Sequence, residues 1–209
     1  MNLQTQLAKR RAEKLYREGG WGPQLTFPVK RAAGKPLVFQ CRLPNGLALI
    51  EVQKLAAAAR GAPTAVGKAT TALERAGEAA GVIVVGALCP PRASDAELEV
   101  LATMTVALAD VKGPPNPEDF MLAETERSTQ EVTKISDKAT MIRRLSVESL
   151  DQAQEPVPML VVQYLLESQF GALVWAFSTT HHEMFGQWAR DMYAKVVETG
   201  WIGTKQRPY

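Results

Sequence analysis

The spacing of apolar and polar positions predicts strands in the first quarter of the chain. Residues 24–29 fit a short edge strand because Pro28 has no amide to donate, and residues 37–43 fit a strand by their β-branched and aromatic content. The Pro-Asn-Gly sequence at residues 44–46 predicts a turn. We therefore expect residues 47–50 to return as the hairpin partner of the preceding strand.

Alanine-rich segments follow, and they are typical of helices. Residues 52–60 and 64–80 predict two helical pieces, separated by Pro63. Residues 82–89 are then a continuous apolar run bounded by glycine and by two prolines. Such a run predicts a central strand that is covered on both faces.

The next segment allows two interpretations. Ser94 and Glu97 have the spacing of a capping box, which predicts a helix that continues through the apolar residues after it. The β-branched residues within 103–111 fit a strand equally well. The proline-rich residues 112–118 predict a surface loop rather than a domain boundary.

Alternation of polar and apolar residues dominates the second half. Residues 121–134 and 139–148 alternate around a turn at residues 136–137, a pattern typical of a solvated antiparallel sheet. Residues 159–166 and 172–177 predict a core hairpin, joined by a five-residue loop with the sequence ESQFG.

A capping box also predicts the last helix. Thr180 fits the N-cap and Glu183 the N3 position, and Gly200 ends the pattern. We expect this helix to pack on the sheet through one apolar face, which consists of Phe185, Trp188, Ala189, Met192 and Val196.

The N-terminal residues predict a basic amphipathic helix. Residues 2–18 place three leucines, Leu3, Leu7 and Leu15, on one stripe, and Gly19 and Gly20 end the helix. The basic residues that we expect to contact a partner are Lys9, Arg10, Arg11, Lys14 and Arg17. Residues 1–35 carry eight basic and two acidic side chains, a net +6, and since the chain carries +2, the remainder carries −4.

Length and composition indicate an ordinary globular protein. With 209 residues, 46% hydrophobic and 22% charged, we expect residues 21–209 to form one domain, preceded by an arm of residues 1–20. The predicted fold class is α+β, a mostly antiparallel sheet with helices packed on its faces. The charged start and the absence of a membrane-length apolar run predict a cytoplasmic protein without a membrane span.

The residues that carry chemistry form no established motif. Residues 61–70 resemble a phosphate-binding loop, but five residues separate the glycines instead of four and Ala69 replaces the hydroxyl that binds magnesium. His181 and His182 are adjacent, so on a helix they point in different directions and make a poor metal pair. We therefore expect no metal and no cofactor.

Other side chains leave alternatives open. Glu124 and Glu126 would share one face of a strand and could form an acid/base pair, whereas solvated carboxylates are the simpler interpretation. A second carboxylate group, at Asp95, Glu97 and Glu99, is interpreted in the same way. Cys41 and Cys89 predict reduced core thiols, with a disulfide between them as the alternative.

The C-terminal quarter, PVPMLVVQYLLESQFGALVWAFSTTHHEMFGQWARDMYAKVVETGWI, resembles the end of the PsbP-like fold in LpqN-type small proteins of high-GC bacteria. There, a strand hairpin that ends in a phrase like AFSTT leads into a terminal helix on the sheet. The resemblance implies a bacterial, PsbP-like binding module without enzymatic activity. It carries over no binding residues.

We therefore interpret the chain as a non-catalytic protein-interaction or assembly module whose basic arm contacts a protein partner or a second copy of the chain. No nucleic-acid-binding motif accompanies these charges, so no nucleic acid is expected. Two alternatives stay open. One is a structural component of a larger particle, such as a phage or a secretion apparatus, and the other is an enzyme with a scattered Glu, Arg and Tyr site.

Overall fold

The computed structural model describes most of the predicted strands and the C-terminal helix. The described residues are 6, 10, 14, 17–29, 35–45, 47–52, 81–89, 100–111, 113–121, 127–148, 157–180 and 187–205. Every structural statement below concerns this part of the chain.

Strands dominate the described residues. In chain order they are β1 (Trp21–Val29), β2 (Leu37–Pro44), β3 (Ala48–Glu51), β4 (Val82–Cys89), β5 (Ala102–Ala109), β6 (Ser128–Ser136), β7 (Ala139–Glu148), β8 (Val157–Ser168), β9 (Gly171–Thr179) and β10 (Trp201–Gly203). A 3-10 helix spans Pro117–Phe120 in the proline-rich loop, and the C-terminal helix spans Gln187–Glu198.

The strands form two antiparallel sheets. The smaller sheet has the order β1-β2-β10, and the larger has the order β3-β4-β5-β9-β8-β7-β6. β1 lies at an edge, as Pro28 predicts. The predicted fold class, α+β with a mostly antiparallel sheet, is confirmed at this level of detail.

Aromatic side chains join the two sheets and the C-terminal helix into one core. Phe39 of β2 contacts Trp175 of β9 edge to face, with ring centroids 5.3 Å apart. Phe177 of β9 stacks on Tyr193 of the helix at 4.2 Å. Each such pair contributes about 0.5–1.5 kcal/mol beyond its buried area. The small sheet and the helix therefore cover the same face of the large sheet.

The C-terminal helix packs on the sheet as predicted. Met192 and Val196, two residues of the predicted apolar face, are 2% and 1% exposed. Phe185 and the side chains of Trp188 and Ala189 lie outside the described residues. The hydroxyl of Thr199 fastens the end of the helix to β2, since it accepts a hydrogen bond from the Arg42 amide at 2.9 Å.

Gly200 follows the helix end as predicted, and the structure gives the reason. A Cβ atom at this position would lie 2.7 Å from Cζ2 of Trp175 and 2.9 Å from the Val197 carbonyl oxygen. Only a residue without a side chain allows the chain to pass so close to the indole ring. β10, which begins at Trp201 immediately afterwards, was not predicted.

The predicted hairpin between residues 37–43 and 47–50 is wrong, although the turn is confirmed by a hydrogen bond from the Leu47 amide to the Pro44 carbonyl at 2.9 Å. β1 and β10 pair with the two edges of β2. Ala48–Glu51 pairs instead with β4 in the large sheet. The turn therefore carries the chain from one sheet to the other.

Of the two interpretations after Ser94, the strand is confirmed for Ala102–Ala109, and the continuation of the helix through these residues is wrong. β4 and β9 pair with the two edges of this strand, so its backbone groups are satisfied in the sheet. β4 lies one position from the end of the sheet, and its residues 84–89 are buried on both faces as predicted.

The C-terminal hairpin is confirmed, but its loop is shorter than predicted. β8 and β9 pair as far as Ser168 and Gly171, which leaves Gln169 and Phe170 as a two-residue turn. Gly171 has a φ of 131°, a conformation that glycine adopts readily. The Ser168 hydroxyl donates to the Gly171 carbonyl at 2.7 Å and closes the turn.

The solvated pair of strands is also confirmed, although it begins at Ser128 rather than at residue 121. The helices predicted at 52–60 and 64–80 lie outside the described residues, except that Val52 is helical. The start of the helix predicted from Ser94 and the N3 position at Glu183 also lie outside them. The division into residues 1–20 and 21–209 stays a prediction.

Candidate interaction surfaces

The N-terminal segment presents basic side chains on one helical face. Gln6, Arg10, Lys14, Arg17 and Glu18 are helical and exposed. Their spacing of four or three residues places Gln6, Arg10, Lys14 and Arg17 on neighbouring turns of the same side of a helix. We call Arg10, Lys14 and Arg17 the basic helix face.

The geometry of the basic helix face is open. Lys14 Nζ lies 4.0 Å from Glu18 Oε2, with the two side chains 71% and 65% exposed. An exposed ion pair at this distance contributes well below about 1 kcal/mol. Arg10, Lys14, Arg17 and Glu18 line a solvent-open depression of about 270 Å³. The cations therefore remain accessible to an external partner.

The structure thus brings together three of the five predicted contact residues, Arg10, Lys14 and Arg17. Lys9 and Arg11 lie outside the described residues, as do the leucines of the predicted apolar stripe.

The end of this segment is fastened to the turn after β2. Asn45 donates from its side-chain amide to the carbonyl of Gly19. Its backbone amide donates to the Gly20 carbonyl at 3.1 Å. Asn45 was predicted only as a turn residue. Its second role could not be predicted from local sequence because the partners are 25 and 26 residues away.

The other residues considered for chemistry lie outside the described part of the chain. They are residues 61–70, Asp95, Glu97, Glu99, Glu124, Glu126, His181 and His182. Among the residues that the structure describes, no group of three or more His, Cys, Asp and Glu side chains could hold a metal ion. No helix within this part of the chain is long and apolar enough to cross a membrane.

Two perturbed titratable groups lie in the core. Burial raises the pKa of the Cys41 thiol to about 12. Burial, and secondly the proximity of Tyr164, raises the pKa of the Tyr193 hydroxyl above its ordinary value. Cys41 and Cys89 are both buried thiols without a disulfide between them, which confirms the prediction.

A second exposed surface lies at the end of the large sheet. In β6, Thr129 and residues 131–136 are all exposed, and Val132 and Ile135 retain 43% and 53% of their accessible surface. We call residues 129–136 the β6 edge. Successive strand residues point to opposite faces, so exposed side chains of β6 lie on both faces of the sheet. The alternating pattern predicted solvation but not that this strand ends the sheet.

Comparisons with known proteins identify no family. No protein-family model matches the chain, and no curated protein matches it in sequence. Among solved structures, it is similar to the 1.9 Å crystal structure of the Saccharomyces cerevisiae Ran-binding protein Mog1p. The identity is 12% and the TM-score 0.42, over 86% of this chain and 96% of that one.

Proposed function

We propose that the chain is a non-catalytic protein-interaction module that binds an acidic partner protein through the basic helix face. The observation that carries this proposal is the placement of Arg10, Lys14 and Arg17 along one exposed side of a helix. Arg10 and Arg17 are seven positions apart, which corresponds to about 10 Å at the rise of an α-helix. That row fits a strip of carboxylates on the partner.

Charge distribution supports an acidic partner. The first 35 residues carry +6, whereas the remaining residues carry −4. A molecule polarised in this way is oriented by an acidic surface before contact, which raises the association rate. Exposed ion pairs contribute only about 0.2–1 kcal/mol each, so binding requires several of them together.

Two other anionic partners fit less well. A single-stranded nucleic acid is bound through aromatic stacking as well as charge. Residues 2–18 contain one aromatic residue, Tyr16, whereas stacking of successive bases requires several. An anionic membrane is bound through bulky apolar residues below the charges, and residues 2–18 contain leucines but no Trp or Phe.

The proposal is tested by removing the three charges together. The variant Arg10→Gln/Lys14→Gln/Arg17→Gln keeps helix-forming side chains, so its fold is expected to be unchanged. Affinity capture from lysate, read by mass spectrometry, should lose an acidic protein that the wild-type chain recovers. With the purified partner, we expect the dissociation constant to rise about tenfold, since three weak ion pairs are lost.

The matched control is Lys138→Gln/Lys195→Gln/Lys205→Gln, which removes the same charge from exposed positions outside the basic helix face and the β6 edge. This variant should bind as the wild type does. Recovery of the same proteins by both variants would overturn the proposal. Recovery that disappears after nuclease treatment, or that requires anionic vesicles, would overturn it in favour of a nucleic acid or a membrane.

A further inference from the structure

Among the residues that the structure describes, the β6 edge is the most exposed strand of the large sheet. In β3, at the opposite end of the same sheet, residues 49–51 are half buried. In β6, seven of nine residues are exposed, and β7 is its hydrogen-bonded neighbour among the described strands. An exposed strand at the end of a sheet is a template for pairing with another strand.

The sequence of β6 carries part of the usual protection of an edge, the charged side chains of Glu131 and Lys134, and otherwise favours extended structure. It contains no proline, and Thr129, Val132, Thr133 and Ile135 are β-branched residues that favour extended structure. The one irregularity is a shift in register between Lys134 and Ser136, next to the turn. From Ser128 to Lys134 the strand is regular.

The side chains on the two faces are fixed by the register with β7. Val132 pairs with Ile142, and Thr133 pairs with Met141, which contacts the aromatic core. Val132 therefore lies on the face away from that core, and Glu131 and Thr133 lie on the same side as Met141. Glu131 is partly neutralised by Arg143, whose Nη1 lies 3.8 Å from its Oε2.

We propose that β6 pairs antiparallel with β6 of a second copy of this chain, centred on Val132, so that two large sheets join into one. This proposal concerns a different element from the basic helix face and does not depend on the proposed function.

Symmetry limits the possible registers. Two identical antiparallel strands in one sheet are related by a two-fold axis perpendicular to the sheet, so paired residues lie on the same face. A pair must therefore join two odd or two even positions. Near the middle of β6 this leaves three registers, centred on Glu131, Val132 or Thr133.

Charge and side-chain type select one of the three. Centring on Glu131 places this carboxylate opposite its own copy, which is unfavourable. Centring on Thr133 places Val132 opposite Lys134, an apolar side chain against a charge. Centring on Val132 pairs the two valines with each other.

The Val132 register also suits the flanking positions. It places Glu131 opposite Thr133 and Gln130 opposite Lys134, twice each by symmetry. No like charges face each other directly in this register, and the central apolar side chains cover one another. Self-pairing of β6 is therefore complementary in both charge and polarity.

The register is tested by cysteine cross-linking. In the proposed dimer the two copies of residue 132 are directly opposite, about 5 Å apart, whereas the two copies of residue 135 are six strand positions apart, about 20 Å. Val132→Cys should therefore form a covalent dimer under mild oxidation. Ile135→Cys, at the more exposed position, should form less than about a tenth as much. The natural thiols at Cys41 and Cys89 are buried and do not interfere.

A second measurement uses the chain without added cysteines. Sedimentation analysis of the wild type should show a concentration-dependent dimer, and Val132→Lys should raise the dissociation constant of that dimer at least tenfold because it places two lysines opposite each other. A wild type that stays monomeric would overturn the proposal, as would a dimer that Val132→Lys leaves unchanged. Equal cross-linking of Val132→Cys and Ile135→Cys would overturn the register.

Discussion

The centre and the β6 end of the large sheet have the same backbone structure and opposite surroundings. Trp175 and Phe177, in β9, are fully buried against the small sheet and the C-terminal helix. Val132 and Ile135, in β6, are about half exposed. The layer packed on a strand, and not its strand character, therefore decides how much each side chain contributes to stability.

The largest loss of stability is expected when the indole ring at the centre of the large sheet is removed. Trp175→Ala should lower the free energy of unfolding by about 3–5 kcal/mol because it leaves a cavity among the aromatic rings. Ile135→Ala, a large-to-small change on the exposed strand, should cost about 0.5 kcal/mol or less. Chemical denaturation of both variants measures the difference.

Trp175→Phe separates the loss of side-chain volume from the loss of the indole N–H. The indole N–H of Trp175 is buried and has no acceptor among the described residues, so its removal relieves part of the cost of the lost volume. We expect this variant to be destabilised by less than half as much as Trp175→Ala. Equal losses in Trp175→Ala and Ile135→Ala would contradict our account of the core.

A smaller loss of stability is expected at alkaline pH, because groups that are buried and protonated in the folded protein ionise when it unfolds. The folded protein holds the Cys41 proton up to about pH 12, whereas the unfolded thiol loses it above its ordinary value of 9.0. Between these values the native state binds more protons, so the free energy of unfolding decreases as pH rises, by up to about 1.4 kcal/mol per pH unit. Tyr193 adds a decrease of the same sign that begins nearer pH 10.

The pH prediction is checked with Cys41→Ala. Denaturation curves at a series of pH values should show a shallower decrease in stability for this variant than for the wild type, most clearly between about pH 9 and 10. If the free energy of unfolding depended on pH in the same way in both proteins, the proposed ionisation of the Cys41 thiol on unfolding would be wrong.

The smallest effect is expected at the exposed end of the sheet. Glu131 and Arg143 face each other across β6 and β7 at 3.8 Å, with side chains 67% and 42% exposed. A double-mutant cycle with Glu131→Gln and Arg143→Gln should give a coupling energy below about 0.5 kcal/mol that decreases with salt. A coupling above about 1 kcal/mol would mean that this hairpin is more enclosed than the structure indicates.

Local patterns predicted most of the strands because period-two alternation and β-branched content are properties of short segments. The core hairpin β8–β9 and the solvated pair β6–β7 are in this group. The failures occurred where partners are distant. Residues 48–51 have the pattern of a hairpin strand, but the chain crosses to the other sheet to pair with β4.

Of the two candidate interaction surfaces, one follows from local sequence and the other depends on the tertiary structure. Arg10, Lys14 and Arg17 could be named as candidates from the sequence, since a spacing of three or four residues places side chains on the same side of a helix. The β6 edge could not, because exposure of a strand depends on what lies next to it in space. The same holds for Asn45, whose partners Gly19 and Gly20 are distant in sequence.

Local residue patterns were enough to predict the alternating strands, the C-terminal helix with Met192 and Val196 on its buried face, and the row of basic residues near the start. The division into two sheets, the order of strands within them, and the aromatic contacts that join them depend on long-range packing. The difference lies in the sequence separation of the interacting residues. Periodicity is visible within a short segment, whereas strand pairing and packing join residues more than a hundred positions apart, such as Phe39 and Trp175.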